Sequence, residues 1–252
     1  MTFTQTQPEL TAVDSPGQLH NTPVHHPKTA LVIGATGATG QCIVEFLIAH
    51  PEYGKVLAFT RRPIGRKHRK LVNHVVNFDN VDAWSHLLSG DELFSAIGTT
   101  MRQAGGREEQ YRVDFSYPFK VAEAARENGV PKILVVSSPN ANPGSRNFYL
   151  RTKGDLDHAV TELDFEHCAL IKPSIIESDR PDFRPGELVA SMTLRTLATV
   201  ISPLRKYNPI SAEELACAIV NIAQDELPHG VSQFELDELF NHLEAHPVAT
   251  VK

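Results

Sequence analysis

A short apolar segment followed at once by a glycine-rich turn constrains the fold of this chain more than any other feature. Residues 29–34 read TALVIG, a continuous apolar run typical of a parallel strand buried on both faces. Gly34, Gly37 and Gly40 follow, and residues 41–50 then have helical periodicity up to Pro51. The first glycine permits a tight turn, the second lets backbone approach a pyrophosphate, and the third allows helix and strand to pack closely. In this context the turn predicts dinucleotide binding at a helix N-terminus, with an ordinary structural turn as the alternative.

The rest of the chain alternates between segments with strand-like and helix-like patterns. Strands are predicted at residues 55–60, 72–78, 93–98, 132–138, 167–172 and 231–236, and helices at 108–128, 148–163, 185–200, 211–224 and 237–246. This alternation predicts an α/β fold, a Rossmann-like doubly wound parallel sheet with helices on both faces. We interpret residues 1–27, rich in Thr, Gln, Pro and His, as a disordered tail. Residues 28–252 are expected to form one domain, with a small C-terminal substrate cap at about residues 174–252.

Composition and charge exclude several classes of protein. The 252 residues are 41% hydrophobic and 21% charged, which is enough apolar material for a core without disulfide or metal support. The net charge of −6 offers no basic field for nucleic acid, and no apolar run is long enough to span a membrane. The first 27 residues lack the features of a secretory or transit leader, and the three cysteines are scattered as in reduced proteins. We therefore expect a cytoplasmic protein without a nucleic-acid or membrane partner. We also expect a monomer or homodimer that acts on a small molecule.

The residues after the second predicted strand indicate which dinucleotide is bound. A carboxylate about 20 residues past the glycines would bind the adenosine ribose of NAD. This chain has Thr60, Arg61 and Arg62 there, and two guanidiniums favour the 2′-phosphate of NADP. The basic run continues to Lys70, as a solvated loop or as an anion-binding or nuclear-import patch. Asp79, after the third strand, is expected to contact the adenine amino group or to serve as a simple turn acid.

Tyr149 and Lys153 stand four residues apart, on one face of a predicted helix. That helix follows the fifth strand, whose end carries Ser137 and Ser138, and ligands of such sheets bind at the carboxyl ends of the strands. A lysine ammonium beside a phenol makes Tyr149 a usable general acid. Ser138 would hydrogen-bond a substrate carbonyl and hold it beside the phenol. The alternative is an exposed helix on which the two side chains merely pack.

The glycine turn, Ser138, Tyr149 and Lys153 together resemble the short-chain dehydrogenase/reductase superfamily. Within it, about residues 29–245 are similar to the atypical branch that contains the TIP30-like (HTATIP2-type) oxidoreductases, most closely at 59–62, 97–100, 137–150 and 180–187. The resemblance implies NADPH as cofactor, Tyr149 as proton donor and Lys153 as a ligand of the nicotinamide ribose. The further cofactor contacts it implies are Thr36, Gly37, Ala38 and Thr39 at the pyrophosphate, Ile97 and Gly98 at the ribose, Ile176 at the nicotinamide and Arg184 at a phosphate. Many relatives carry an Asn on the helix after the fourth strand, where this chain offers Asp114.

Three functions remain open at this point. The first is NADPH-dependent reduction of a small carbonyl compound, and the second is an NADPH-binding regulator without turnover that signals to a protein partner. The third is a nucleotide-sugar epimerase or dehydratase, for which the short stretch after Pro173 leaves little room. His242 and His246 have a spacing that can chelate a metal, but a solvated helix face is expected there, so no metal site is predicted.

Overall fold

The computed structural model describes residues 26–177 and 208–243, and in that part strands and helices alternate along the chain. The strands are β1 (Lys28–Ile33), β2 (Tyr53–Thr60), β3 (Leu71–Val75), β4 (Glu92–Ser95), β5 (Lys132–Val136), β6 (His167–Lys172), β7 (Ile176–Glu177), β8 (Ile210–Ser211) and β9 (Gly230–Glu235). The α-helices are α1 (Ala38–Ala49), α2 (Met101–Ala104), α3 (Arg107–Tyr111), α4 (Tyr117–Glu127), α5 (Phe148–Thr161), α6 (Ala212–Gln224) and α7 (Glu238–Asn241). Two 3₁₀ turns, Phe78–Ala83 and Ser85–Leu87, lie between β3 and β4.

Seven of the strands form one parallel sheet in the order β3-β2-β1-β4-β5-β6-β9. The order reverses direction between β1 and β4, and this switch point is where ligands bind in open α/β sheets. The predicted Rossmann-like doubly wound sheet is therefore confirmed, because each predicted strand in the described part is present within a few residues of its expected position.

The core has two halves because successive side chains of a strand point to opposite faces of the sheet. On β1, Ala30 and Val32 pack into the layer formed by α1 and α6. Leu31 and Ile33 pack into the other layer, formed by the 3₁₀ turns, α4 and α5. All four side chains are fully buried, as expected of a central strand covered on both faces.

The helical segments differ from the sequence prediction in two places. The helix predicted at 108–128 is continuous, but residues Arg112–Ser116 form a π-helical segment between α3 and α4. Residues 208–243 fall within the predicted cap, and in this range β9 pairs with β6 and α6 packs on α1. Helix α7 is shorter than the predicted 237–246, and the predicted helix at 185–200 lies outside the described residues, as does most of the tail.

Candidate functional site

The glycine turn connects β1 to α1 at the switch point of the sheet. Gly34 has a φ of +81°, and a Cβ there would lie 2.4 Å from the carbonyl carbon of Ala96, so both its conformation and its surroundings require glycine. A Cβ on Gly40 would lie 2.1 Å from the Gly34 carbonyl oxygen, so the first turn of α1 packs directly on the loop. Gly37 caps α1 without a side-chain hydrogen bond, which leaves the N-terminus of the helix to face a ligand.

A cleft of about 350 Å³ extends from this turn along the carboxyl ends of β1, β2 and β4. It is lined by Gly34, Thr36, Gly37, Phe59, Thr60, Arg61, Arg62, Phe78, Ala96, Ile97, Gly98, Thr99, Gln103, Ala104, Glu109 and Val113. Among these described lining residues, Glu109 is the one acidic residue, and its carboxylate forms an ion pair with Arg112. The wall at the end of β2 is therefore cationic, without the acid that would select NAD.

Arg61 and Arg62 are exposed on that wall, and hydrogen bonds through Thr60 hold the backbone of Arg62 in place. The buried Thr60 hydroxyl donates to the Arg62 carbonyl oxygen at 2.7 Å, and the Asn73 amide donates to the same hydroxyl at 2.8 Å. Within the described residues, neither Arg61 nor Arg62 forms an ion pair. Further along the basic run, Arg66 pairs with Glu45 at 3.0 Å, so that residue is engaged in the fold.

Asp79 lies beside the cleft, although its neighbour Phe78 supplies the lining there. Its carboxylate accepts hydrogen bonds from the Tyr117 hydroxyl at 2.7 Å and from the Arg112 guanidinium at 3.3 Å. The Tyr117 hydroxyl and the Arg112 cation lower the pKa of this carboxyl. In this structure Asp79 thus links the turn after β3 to the π-helical segment and α4.

Tyr149 and Lys153 both line a cavity of about 250 Å³ that also contains Gly37, Thr39, Gly98 and Ile176. Asn147 caps α5 through its side chain, which accepts from the Leu150 amide at 3.3 Å and places Tyr149 near the start of the helix. Lys153 is 5% exposed, and its ammonium donates to the Val136 carbonyl oxygen at 3.1 Å. The ammonium is thus anchored at the end of β5, with two of its three N–H donors available for other partners.

The two serines after β5 face different surroundings. Ser137 lines the cavity with Tyr149 and Lys153, whereas the Ser138 hydroxyl donates to the adjacent Pro139 carbonyl oxygen at 3.3 Å. Ser138 was predicted to hold a substrate carbonyl beside the phenol, but among the described residues Ser137 is the serine that lines this cavity. Adjacent side chains of an extended segment point to opposite sides, which is the physical reason that two consecutive serines do not both face the cavity.

Asp114, which this chain offers where many relatives carry an Asn, lies fully buried in the π-helical segment. One carboxylate oxygen accepts from the Thr99 amide at 2.7 Å, and the other accepts from the Gln110 side chain at 3.2 Å. Burial raises the pKa of this carboxyl, while the Lys153 cation is the largest opposing influence. Asp114 therefore connects the loop after β4 to the helix that faces α5, and π-helical turns of this kind are frequent at functional sites.

A second glycine controls how the loop after β5 meets α5. A Cβ on Gly154 would lie 2.3 Å from the carbonyl carbon of Asn142, and the Asn142 amide donates to the Leu150 carbonyl oxygen at 3.0 Å. The loop that follows Ser137 thus crosses α5 in direct backbone contact one residue after Lys153. Gly154 was not among the predicted site residues, since a glycine inside a helix does not reveal what packs on it.

The remaining predicted contacts fall into two groups. Thr36, Ile97 and Gly98 line the larger cleft, and Ala38, Thr39 and Ile176 line the cavity of Tyr149. Arg184 lies outside the described residues. His242 interacts with Asp225 at 3.1 Å, and His246 is not described. In the described ranges we find neither a cluster of three metal-ligating side chains nor a helix long and apolar enough to cross a membrane.

Comparison with known proteins shows the family to which this chain belongs. Residues 34–226 match the model of the NAD(P)H-binding family. The FMP52 protein of Saccharomyces cerevisiae, named as mitochondrial, is 32% identical over 77% of this chain and 86% of its own length. The HTATIP2 protein of Rattus norvegicus is 31% identical over 65% of this chain and 69% of its own length.

Solved structures confirm the fold. The Bordetella bronchiseptica enzyme WbmH in complex with NAD⁺ has a TM-score of 0.62 at 15% identity, covering 83% of this chain and 76% of that one. UDP-glucose 4-epimerase from Thermotoga maritima, with UDP-glucose, has a TM-score of 0.61 at 14% identity, covering 84% of this chain and 80% of that one. At such identities the likeness establishes the architecture alone.

The comparisons overturn the predicted location and establish the family. The cytoplasmic prediction is wrong, because FMP52 relatives from Saccharomyces cerevisiae, Candida glabrata and Aspergillus terreus are named as mitochondrial proteins. That prediction rested on missing leader features, and such an absence does not fix a compartment. The family match and the geometry of the glycine turn agree with each other. The chain belongs to the NAD(P)H-binding family, as an atypical short-chain dehydrogenase/reductase of the HTATIP2 type.

Proposed function

We propose that this protein is an NADPH-dependent oxidoreductase that reduces a small carbonyl compound, with Tyr149 as the proton donor. The observation that carries the proposal is the shared cavity, in which Tyr149 and Lys153 stand next to the glycine turn and Ile176. The names of the FMP52 relatives support a mitochondrial location, which we propose for this chain as well.

The positive charge at the end of β2 supports a preference for NADPH over NADH. Arg61 and Arg62 line the cleft without an ion-pair partner in the described part, and no described lining acid lies on the same strand end. A phosphate on the adenosine ribose would gain charge-assisted hydrogen bonds from these guanidiniums, each contributing about 1.5–3 kcal/mol. A cofactor without that phosphate gains nothing comparable.

Tyr149 and Lys153, four residues apart on α5, support a proton transfer from the phenol. When bound, the nicotinamide would supply a hydride to the carbonyl carbon. The Tyr149 hydroxyl then gives its proton to the carbonyl oxygen, so that its O–H bond breaks as the alcohol O–H bond forms. Lys153, held by the Val136 carbonyl, keeps a positive charge near the phenolate that results and stabilises it.

The catalytic role is tested with Tyr149→Phe. We expect bound NADPH, measured by its fluorescence, to keep its affinity within about twofold, and kcat to fall about 10²–10⁴-fold because a positioned general acid is lost. A panel of aldehydes and ketones is offered to both proteins. An unchanged kcat would refute the role of Tyr149, and NADPH binding without turnover of any carbonyl would favour the regulatory alternative.

The cofactor preference is tested with Arg61→Ala and Arg62→Ala. Each should weaken NADPH binding by about tenfold or more and leave NADH binding unchanged, since only the phosphate contact is lost. Arg66→Ala is the matched control, because its guanidinium pairs with Glu45 instead of lining the cleft. Equal effects on the two cofactors would show that the arginines do not read the 2′-phosphate.

The epimerase alternative is separated by its products. Wild-type protein is incubated with UDP-glucose and NAD⁺, and the sugar nucleotide is analysed for conversion at C4. Conversion would contradict the proposed carbonyl reduction. The fold that this chain shares with a UDP-glucose 4-epimerase does not decide between the two, because related folds host many chemistries.

A further inference from the structure

A recess of about 630 Å³ opens beside Tyr149, and its described lining includes no residue of the glycine turn. We call it the arginine recess; it is lined by Thr99, Thr100, Met101, Arg107, Gln110, Arg146, Asn147, Phe148 and Tyr149. Thr99, Thr100 and Tyr149 also line the cavity that contains Lys153. A molecule in the recess therefore reaches the phenol, and the recess is where the substrate of the proposed reaction would lie.

The charged side chains that line the recess are both cations. Arg107, at the start of α3, and Arg146, in the loop before α5, come from distant parts of the chain and meet at the same opening. Among the described lining residues none is acidic, and neither guanidinium forms an ion pair or hydrogen bond within the described part of the chain. Two unneutralised cations at one opening attract an anion.

The position of one of these arginines is restricted by an aromatic ring. The Arg107 guanidinium lies over the Phe148 ring, 5.6 Å from its centroid. The Arg151 guanidinium also lies over that ring, and its side chain donates to the Ser145 carbonyl oxygen at 2.9 Å. Stacking on an aromatic ring leaves the edge of a guanidinium free for a bidentate bond to an oxyanion.

A buried amide in the recess provides a second, independent indication of a ligand. Gln110 is 3% exposed, and its Nε2 group donates to Asp114 at 3.2 Å. Its Oε1 atom is buried and has no hydrogen-bond partner in the described residues. Burying an acceptor without a donor is costly, so this atom is expected to meet a donor group when the recess is filled.

From these observations we infer that the substrate is a carbonyl compound bearing an oxyanion, a carboxylate or a phosphate, which Arg107 and Arg146 bind while the carbonyl faces Tyr149. The inference rests on the proposed reductase function, because that function puts a carbonyl beside the phenol. Gln110 would accept a hydrogen bond from a donor on the same molecule or from a water that it orders.

The test compares pairs of aldehydes, of which one member bears an oxyanion and the other is neutral. The full chain with saturating NADPH is offered 4-formylbenzoate against its neutral methyl ester, and 4-formylphenyl phosphate against benzaldehyde. We expect the charged member of at least one pair to have a kcat/KM higher by about tenfold or more, with the pair showing which oxyanion is preferred. Equal values within both pairs would overturn the inference.

Variants assign the effect to the recess. Arg107→Ala and Arg146→Ala should each lower kcat/KM for the charged probe about tenfold more than kcat/KM for its neutral partner. Arg126→Ala is the control, because Arg126 bonds the Asp164 carbonyl near the C-terminal end of α4, away from the recess. A loss that is the same for charged and neutral probes would contradict the assigned role.

A binding measurement separates this inference from the proposed reaction. Calorimetric titration of NADP⁺-loaded protein with 4-formylbenzoate and with 4-formylphenyl phosphate reports affinity without turnover. Binding that Arg107→Ala weakens, with no reduction of any probe, would uphold the recess and refute the reductase function. Reduction of benzaldehyde with no measurable binding of either anion would do the reverse.

Discussion

Replacing Gly154 by alanine has two opposing effects on the stability of the protein, and the structure decides which is larger. Inside a helix, alanine is more favourable than glycine by about 0.5–1 kcal/mol. At this position, however, the new Cβ would lie 2.3 Å from the Asn142 carbonyl carbon and 2.5 Å from both the Asn142 and Pro143 nitrogens. These are backbone atoms, so no side-chain rotation relieves the contact.

The magnitude follows from the displacement that the new methyl group requires. Carbon atoms pack best at about 3.5–4.0 Å, so the loop must move away from α5 by roughly 1–2 Å. Such overpacking costs about 1–3 kcal/mol, which exceeds the gain in helix propensity. We expect Gly154→Ala to be less stable than the wild type by about 1–2 kcal/mol, with a Tm lower by about 2–8 °C.

The same displacement should affect activity, since the loop carries Ser137 and the helix carries Tyr149 and Lys153. A misplacement of about 1 Å can cost about 10²-fold in rate. Stability is measured by urea unfolding, and activity by NADPH oxidation with a carbonyl that the wild type reduces. NADPH affinity should change less than kcat, because the glycine turn lies on another element.

The control is His158→Ala, an exposed position on the same helix. Its stability should stay within about 0.5 kcal/mol of the wild type, with unchanged activity. A Gly154→Ala protein that is more stable than the wild type would show that helix propensity dominates and would refute the steric argument.

Three further predictions concern other parts of the molecule. Glu92→Gln should lower the free energy of unfolding, measured in urea, by about 3 kcal/mol. The buried Glu92 carboxylate accepts a hydrogen bond from Tyr53 and pairs with Lys28 at 3.1 Å and with Lys132 at 3.5 Å. The control is Glu52→Gln, which should cost less than about 1 kcal/mol because Glu52 is partly exposed. Asp157→Asn should raise stability at pH 7, by about 1 kcal/mol, and the gain should shrink as the pH falls toward the unfolded-state value of about 4. Burial raises the pKa of Asp157 despite Ser137, Lys172 and Lys153, so the wild type loses stability as the pH rises from the unfolded-state pKa through the higher folded-state pKa. In the variant, Lys172 keeps its hydrogen bond to Gln233 at 2.6 Å and its ion pair with Glu235 at 3.5 Å. A variant less stable than the wild type at pH 7 would contradict this sign. Gly40→Ala should abolish measurable NADPH binding, because the Cβ would meet the Gly34 carbonyl oxygen at 2.1 Å and distort the turn; retained affinity in a fluorescence titration would count against the role of this turn.

Patterns that repeat over a few residues were sufficient to predict the architecture. A buried strand, a glycine turn and an amphipathic helix each depend on neighbours in sequence, so the order of elements and the place of the turn followed directly from residues 29–50. Tyr149 and Lys153 were found for the same reason, since i and i+4 share a helix face wherever the helix lies.

Contacts between distant segments could not be predicted in this way. Whether Ser137 or Ser138 lines the cavity depends on how the chain leaves β5. The link from Asp79 to Tyr117 and Arg112 joins segments more than 30 residues apart. The cellular location was predicted wrongly: the prediction rested on composition and on leader features that were not recognised, and the relatives named as mitochondrial contradict it.

By itself, then, the sequence determined the doubly wound sheet, the glycine turn, the pair of arginines after β2 and the Tyr149–Lys153 pair, all of which rest on local spacing. The tertiary structure decided the rest: the approach of Asn142 to Gly154, the burial of Asp114 beside Gln110, and the meeting of Arg107 with Arg146. The physical reason is that the parallel sheet gathers the ends of its strands at one edge, and side chains from distant segments become neighbours only once that edge is formed.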